Sequence, residues 1–153
     1  DLGSSSSRFK DLYLSGGAYL GGTAAANKLD HYEETTWTPS QEGVTVSVVT
    51  ATAIRVGNLV TVSARIVFPS NSDSTLIAIS GLPFARATNY QSAGGVMHSD
   101  VNLPSGYTQL AYYLGSTRIN LYACGDSVGF DALRNNQLSG ADIIFTFSYE
   151  TNA

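Results

Sequence analysis

Residues able to do chemistry are few in this chain, and they are scattered. Hydrolysis of a glycan needs two carboxylates about 5 to 10 Å apart, one of them held as the acid. Asp126 and Asp131 flank Ser127-Val128-Gly129-Phe130 and are near enough in sequence to face one cleft. The same spacing suits a loop in which an aspartate caps a turn or a short helix, and capping is the favoured reading. Glu33 and Glu34 are adjacent, so in an extended segment they point to opposite sides and make no pair within one chain. His98 and Asp100 would share one side of a strand, as a base with its carboxylate or, the favoured reading, as a polar pair at a strand end. Serine is abundant, yet no Gly-x-Ser-x-Gly elbow presents one as a nucleophile.

Metal binding asks His, Cys and carboxylate to converge, and His31, His98 and Cys124 show no ligand spacing. Only in a trimer would three copies of His31 near an axis make a trap for an ion or anion. The glycine pairs at 16–17, 21–22 and 94–95 are not followed by the Gly-Lys-Ser/Thr of a phosphate loop. No catalytic residue, metal or cofactor is expected.

Aromatic residues carry more information. Tyr112 and Tyr113 are consecutive in a strand-like stretch, so they face opposite sides and one of them is expected outside the core. On the next stretch Arg118, Asn120 and Tyr122 share a face opposite Ile119, Leu121 and Ala123. A hairpin through Gly115-Ser116-Thr117 would join the two into an aromatic, arginine and asparagine patch. Such rings offer apolar area and a hydrogen bond with little entropy to lose, which suits sugar recognition. A subunit interface wants the same residues, and both readings stand.

The elements that must position these residues read as strands. Val60, Val62, Ala64, Ile66 and Phe68 fall on one face, and Leu59, Thr61, Ser63, Arg65 and Val67 on the other, the pattern of a half-buried antiparallel strand. Val44, Val46 and Val48 repeat it upstream, and Gly57-Asn58 is a tight-turn pair before the long strand. Further strands are expected over 76–82, 90–98, 107–114, 118–123 and 143–149, separated by turn-forming runs such as 69–73 and 103–106. Only 130–138 reads as a helical turn. Strands at about ten-residue spacing without an amphipathic helix predict an all-β fold, an antiparallel sandwich or jelly roll.

Composition fits this reading. The 153 residues are room for one domain, with 43% hydrophobic and only 13% charged residues. The net charge is −4, and two lysines and six arginines are spread without a cluster, so nucleic acid and anionic membranes are not expected partners. The single cysteine excludes an intrachain disulfide. No apolar run approaches the roughly 20 residues of a membrane span.

Residues 1–43 differ from the expected head, 44–153. Their apolar residues come in short bursts, Phe9, then Leu12 and Leu14, then Tyr19 and Leu20, each cut by Ser or Gly. One copy cannot build a core from such bursts. Several copies wound around one another could, with Gly16-Gly17 and Gly21-Gly22 as bends; the other reading is a linker. Because the chain opens at Asp1 rather than Met, it is read as the C-terminal piece of something longer.

The run Leu2-Gly-Ser-Ser-Ser-Ser-Arg-Phe-Lys-Asp-Leu-Tyr-Leu-Ser-Gly-Gly17, then Tyr19-Leu-Gly-Gly-Thr23 and Ala26-Asn-Lys-Leu-Asp30, resembles the C-terminal region of bacteriophage tail fibre and related structural proteins. There it leads into an Asp-Tyr-Glu-Glu-Gly-Thr-Trp-Thr-Pro phrase, which reads here Asp30-His31-Tyr32-Glu33-Glu34-Thr35-Thr36-Trp37-Thr38-Pro39. The stretch Arg55-Val-Gly-Asn-Leu-Val-Thr-Val62 is similar to the first long strand of their terminal domain. Together these phrases cover about a third of the chain and contain no catalytic residue. His31 and Thr35 depart from the pattern, which leaves the local turn open. The resemblance implies a homotrimer on a virion, continuing upstream fibre or joining other virion proteins. It also implies a short intertwined stem, a β-sandwich head, and attachment outside the host to surface carbohydrate or an outer-membrane protein. Phe9, Leu12, Leu14, Tyr19 and Leu20 would then associate between chains, with Trp37 at the junction packing under the head. The alternatives are a purely structural virion component (a fibre cap, collar or capsid decoration) and a depolymerase with a site between chains.

Overall fold

The computed structural model describes residues 4–152; Asp1, Leu2 and Gly3, at the start of the expected stem, and Ala153 lie outside them. The fold is all-β and its sheets are antiparallel. The element that organises it is the strand pair β4 (Ser47–Val56) and β5 (Leu59–Val67), joined by the two-residue turn Gly57-Asn58. Gly57 takes a φ of +58° at the first turn position, where a residue without Cβ lets the strands keep their twist. Along β5 the alternation places Val60, Val62, Ala64 and Ile66 inward, none more than 2% exposed, and Phe68 follows them into the core.

On the other side of β5 runs β12 (Asp142–Glu150), paired over nine residues from Val67–Asp142 to Leu59–Glu150. The short β3 (Tyr32–Thr36) and β8 (Met97–Ser99) close the two edges, giving the order β3-β4-β5-β12-β8. A second five-stranded sheet contains β7 (Ala93–Gly95), β9 (Gln109–Leu114), β10 (Ile119–Gly125) and β11 (Gly129–Ala132), in the order β11-β10-β9-β7. Its fifth member, β6 (Ala78–Ile79), pairs with β10 at Ile119 and Asn120.

The two sheets share one core. Ile143, Phe145, Phe147 and Tyr149 of β12 belong to the same buried cluster as Leu110, Tyr112, Leu114, Ile119, Leu121 and Ala123 of the second sheet. The rings of Tyr112 and Phe147 stack at 4.3 Å and 20°. Each fully buried side chain of this size stabilises the fold by roughly 1.5–3 kcal/mol. Polar groups that enter are mostly matched: the Tyr149 hydroxyl donates to the Phe84 carbonyl at 2.8 Å. The amide of fully buried Asn135 donates to the Glu42 carbonyl and to Asp73, each at 2.7 Å. That bond, with the Thr75 amide, holds the Asp73 carboxyl below its usual range.

Several elements depart from expectation. Val44 and Val46 pack on the core, whereas Val48 is exposed, because a bulge between Val48 and Thr50 shifts the phase and brings Ala51 and Ala53 inward. The expected strand 90–98 is two strands in different sheets: β7 pairs with β9, β8 with β12, and buried Val96 lies between them. This is how a strand turns a corner between packed sheets. Within 76–82 only Ala78–Ile79 is strand. The expected helical turn at 130–138 resolves into strand β11 and a 3-10 turn, Asn135–Leu138. The expected boundary between 43 and 44 falls past the first head strand, since β3 pairs along β4 and both Trp37 and Pro39 are buried.

Residues 4–31 have little structure of their own. Strand β1 (Ala18–Tyr19) pairs with β2 (Lys28–Leu29) for two residues each, and the chain bends at 15–16 and 21–24. Lys28 lies 3.3 Å from Asp30 and holds that carboxyl below its usual range.

Candidate functional site

The hairpin of β9 and β10 sets the site. Its register, Tyr113–Asn120, Tyr112–Leu121 and Ala111–Tyr122, sends Ala111, Tyr113, Asn120, Tyr122 and Cys124 to the outer face of the second sheet. The neighbouring β11 extends that face with Phe130 opposite Cys124 and Ala132 opposite Tyr122, and β7 extends it with Ala93 opposite Tyr113.

Large and small side chains alternate across this face like a checkerboard. Tyr113, Tyr122 and Phe130 rise beside Ala93, Ala111 and Cys124, and together they enclose a concavity of about 300 Å³ that Tyr112 also borders. The Tyr122 and Phe130 rings meet edge to face at 5.4 Å and 88°, so they form two walls at right angles. Phe130 is 74% exposed, unusual for so large an apolar side chain outside a contact surface. Cys124, half-buried, is a free thiol. No charged residue is in the lining. Two amides stand on the same face at its ends: Asn120, whose Nδ2 is 3.5 Å from the Tyr113 carbonyl, and Gln109, which pairs with Cys124.

Of the five residues expected in a binding patch, Tyr113, Asn120 and Tyr122 come together on this face. Tyr112 is a correction: it points inward, 6% exposed, with its ring on Phe147 and its hydroxyl 3.0 Å from that of Ser92. Its ring lies so close to β7 that a Cβ on Gly94 would stand 2.9 Å from it, which is why a glycine sits opposite. Arg118 is exposed in the loop between the strands and does not line the concavity. Phe130 was not expected here. The signal for it was Gly125-Asp-Ser-Val-Gly129, a three-residue hairpin loop between two strand-like runs, closed by the Gly125–Gly129 pair with Ser127 at a φ of +63°.

The other candidates lie apart from this face. Asp126 is in that exposed loop, and Asp131 pairs with Ala123, whose side faces away from Tyr122. His98 pairs with Ile143, and its buried Nδ1 has no partner; Asp100 sits beyond the strand at a φ of +58°. Glu33 and Glu34 occupy successive positions of edge strand β3, and Tyr32 donates its hydroxyl to Glu34, which raises the Tyr32 pKa. His31 is exposed, its carbonyl accepting the Gly57 amide at 2.8 Å. Among the described residues no three His, Cys, Asp or Glu side chains are grouped to hold a metal.

The residues expected to associate between chains divide into two sets. Phe9, Leu12, Leu14, Tyr19 and Leu20 are all 53–64% exposed. Trp37 is 6% exposed within its own chain, part of the head core. A second apolar patch lies on the outer face of the β3-β4-β5 sheet, where Tyr32 pairs with Val56, Val56 with Leu59, and Ile54 lies alongside; all four are 44–64% exposed. No protein-family model and no curated protein matches this chain.

Proposed function

We propose that this chain is the tip of a bacteriophage tail fibre, a non-enzymatic homotrimer that attaches the virion to the host surface through carbohydrate. The observation that carries the reading is the series Phe9, Leu12, Leu14, Tyr19 and Leu20, apolar side chains left more than half exposed by their own chain. Exposure of that kind, repeated along a segment, marks a surface meant for other chains. Tyr32, Ile54, Val56 and Leu59 continue the apolar surface onto the head where that segment enters it. Three copies would bury these groups against one another and direct three heads outward.

Attachment then rests on the Tyr113, Asn120 and Tyr122 face. Each site is small, and three per tip on several fibres convert weak contacts into firm adhesion. A structural virion component without receptor binding is the second reading. It is favoured by the largely apolar character of the lining and by exposed Phe130, both of which a subunit contact would also use. The experiment is adhesion of host cells, or of surface polysaccharide extracted from them, to the immobilised protein. Binding by the wild type that is lost in the Tyr113→Ala, Tyr122→Ala double variant supports the attachment face. Equal binding by both moves attachment elsewhere on the head, and no binding by either favours the structural component.

A further inference from the structure

We infer that the concavity between Tyr113, Tyr122 and Phe130 takes an uncharged pyranose bearing a methyl group, a 6-deoxy or N-acetylated sugar, in preference to an acidic one. The inference rests on the attachment reading and specifies which sugar class the same face recognises.

The shape and chemistry of this face lead there. The volume of about 300 Å³ is at the small end of ligand sites, fit for a monosaccharide unit rather than a long chain. The Tyr122 and Phe130 walls, set at 88°, offer one ring to the C–H face of a pyranose and the other to a substituent on its edge. Ala93, Ala111 and Cys124 are the small side chains of the lining, and they offer apolar surface to a methyl group but no strong hydrogen-bond partner to a hydroxyl in its place. The amides of Gln109 and Asn120 stand on the same face, neutral donors and acceptors for ring hydroxyls beside the tyrosines of the lining. Arg118, the cation that would have paired with a carboxylate, is outside the lining. A uronic or sialic acid would therefore leave water for an apolar pocket with no counter-charge, which is unfavourable.

The test uses the intact protein and four free sugars, rhamnose, N-acetylglucosamine, glucose and glucuronic acid, each at millimolar concentration. Saturation-transfer NMR reports which sugar protons touch the protein. The methyl signals of the first two should saturate most strongly, with glucose weaker and glucuronic acid at background. The same sugars should slow alkylation of Cys124, the only cysteine in the chain, which places them in this concavity. Phe130→Ala, a change at an exposed side chain, should weaken both effects about fivefold or more, while Arg118→Ala should leave them as they were. Transfer to glucuronic acid equal to that of rhamnose would overturn the inference. So would transfer to rhamnose that persists in Phe130→Ala, or protection of Cys124 by a short-chain detergent but by no sugar. If these sugars fail while host cells still bind the wild type, the sugar class is wrong and the attachment reading survives. If host cells do not bind either, the attachment reading itself fails.

Discussion

The chain places the same kinds of side chain in two opposite settings. Leu110, Leu114 and Leu121 of the head are at most 3% exposed, whereas Leu12, Leu14 and Leu20 of the N-terminal segment are 54–64% exposed. Residue type is not the difference; spacing is. Strand β5 keeps its alternation for nine residues and has a full-length partner on either side, so every second side chain reaches one shared core. In the segment, Ser and Gly cut the apolar residues into ones and twos, and among its described residues the strands are two residues long. Burial there needs material from outside the chain, and identical chains are what the proposed trimer supplies.

The contrast can be broken most sharply at Trp37. If it belongs to the head core, Trp37→Ala removes about 3 kcal/mol or more and lowers the melting temperature by roughly 10 °C. A calorimetric transition unchanged by that substitution would assign Trp37 to the segment's side of the contrast. A second effect, somewhat smaller, is confined to the interior. Burial pushes the Tyr149 phenol up to about 12. A folded pKa above the ordinary value near 10 means that the neutral phenol is favoured in the fold. Its contribution is complete below about pH 10 and lost as the pH rises through 12, about 2–3 kcal/mol in all. Urea midpoints measured between pH 9 and 12 should fall in the wild type and fall less in Tyr149→Phe; parallel curves would show that the core does not hold this phenol.

The smallest effect belongs to the outer face of the same sheet. Arg65 forks onto Asp142 at 2.6 Å, yet its side chain is 47% exposed. Arg65→Ala should lose no more than about 1 kcal/mol, and less at high salt. A larger loss in thermal unfolding would mean that this face is covered in solution.

Much of the head was legible because its signals are local and periodic. The inward set of β5, the Gly57-Asn58 turn and the shared face of Asn120 and Tyr122 all follow from alternation and turn chemistry. Edge strand β3 was not legible: Tyr-Glu-Glu-Thr-Thr has no apolar alternation, because a strand with one partner and an exposed outer side needs none. The phase shift at Val48 and the corner at Val96 depend on which sheet each residue joins, and that is settled by contacts distant in sequence. Half of the candidate face was visible for the same reason. Tyr113, Asn120 and Tyr122 lie on one predicted hairpin, and the 125–129 loop is a local signal for the next one, which brings Phe130, whereas Ala93 arrives from a strand whose pairing no local pattern announces.

The central claim is that Phe9, Leu12, Leu14, Tyr19 and Leu20 are buried between copies of the chain. The most direct measurement is absolute mass in solution, by light scattering after size exclusion, on the intact chain and on a Leu12→Asp, Leu14→Asp double variant. The account predicts a mass of three chains for the wild type and one for the variant, with the circular dichroism of the head retained. A wild-type mass of one chain would contradict it and leave residues 4–31 as a linker to an isolated sandwich.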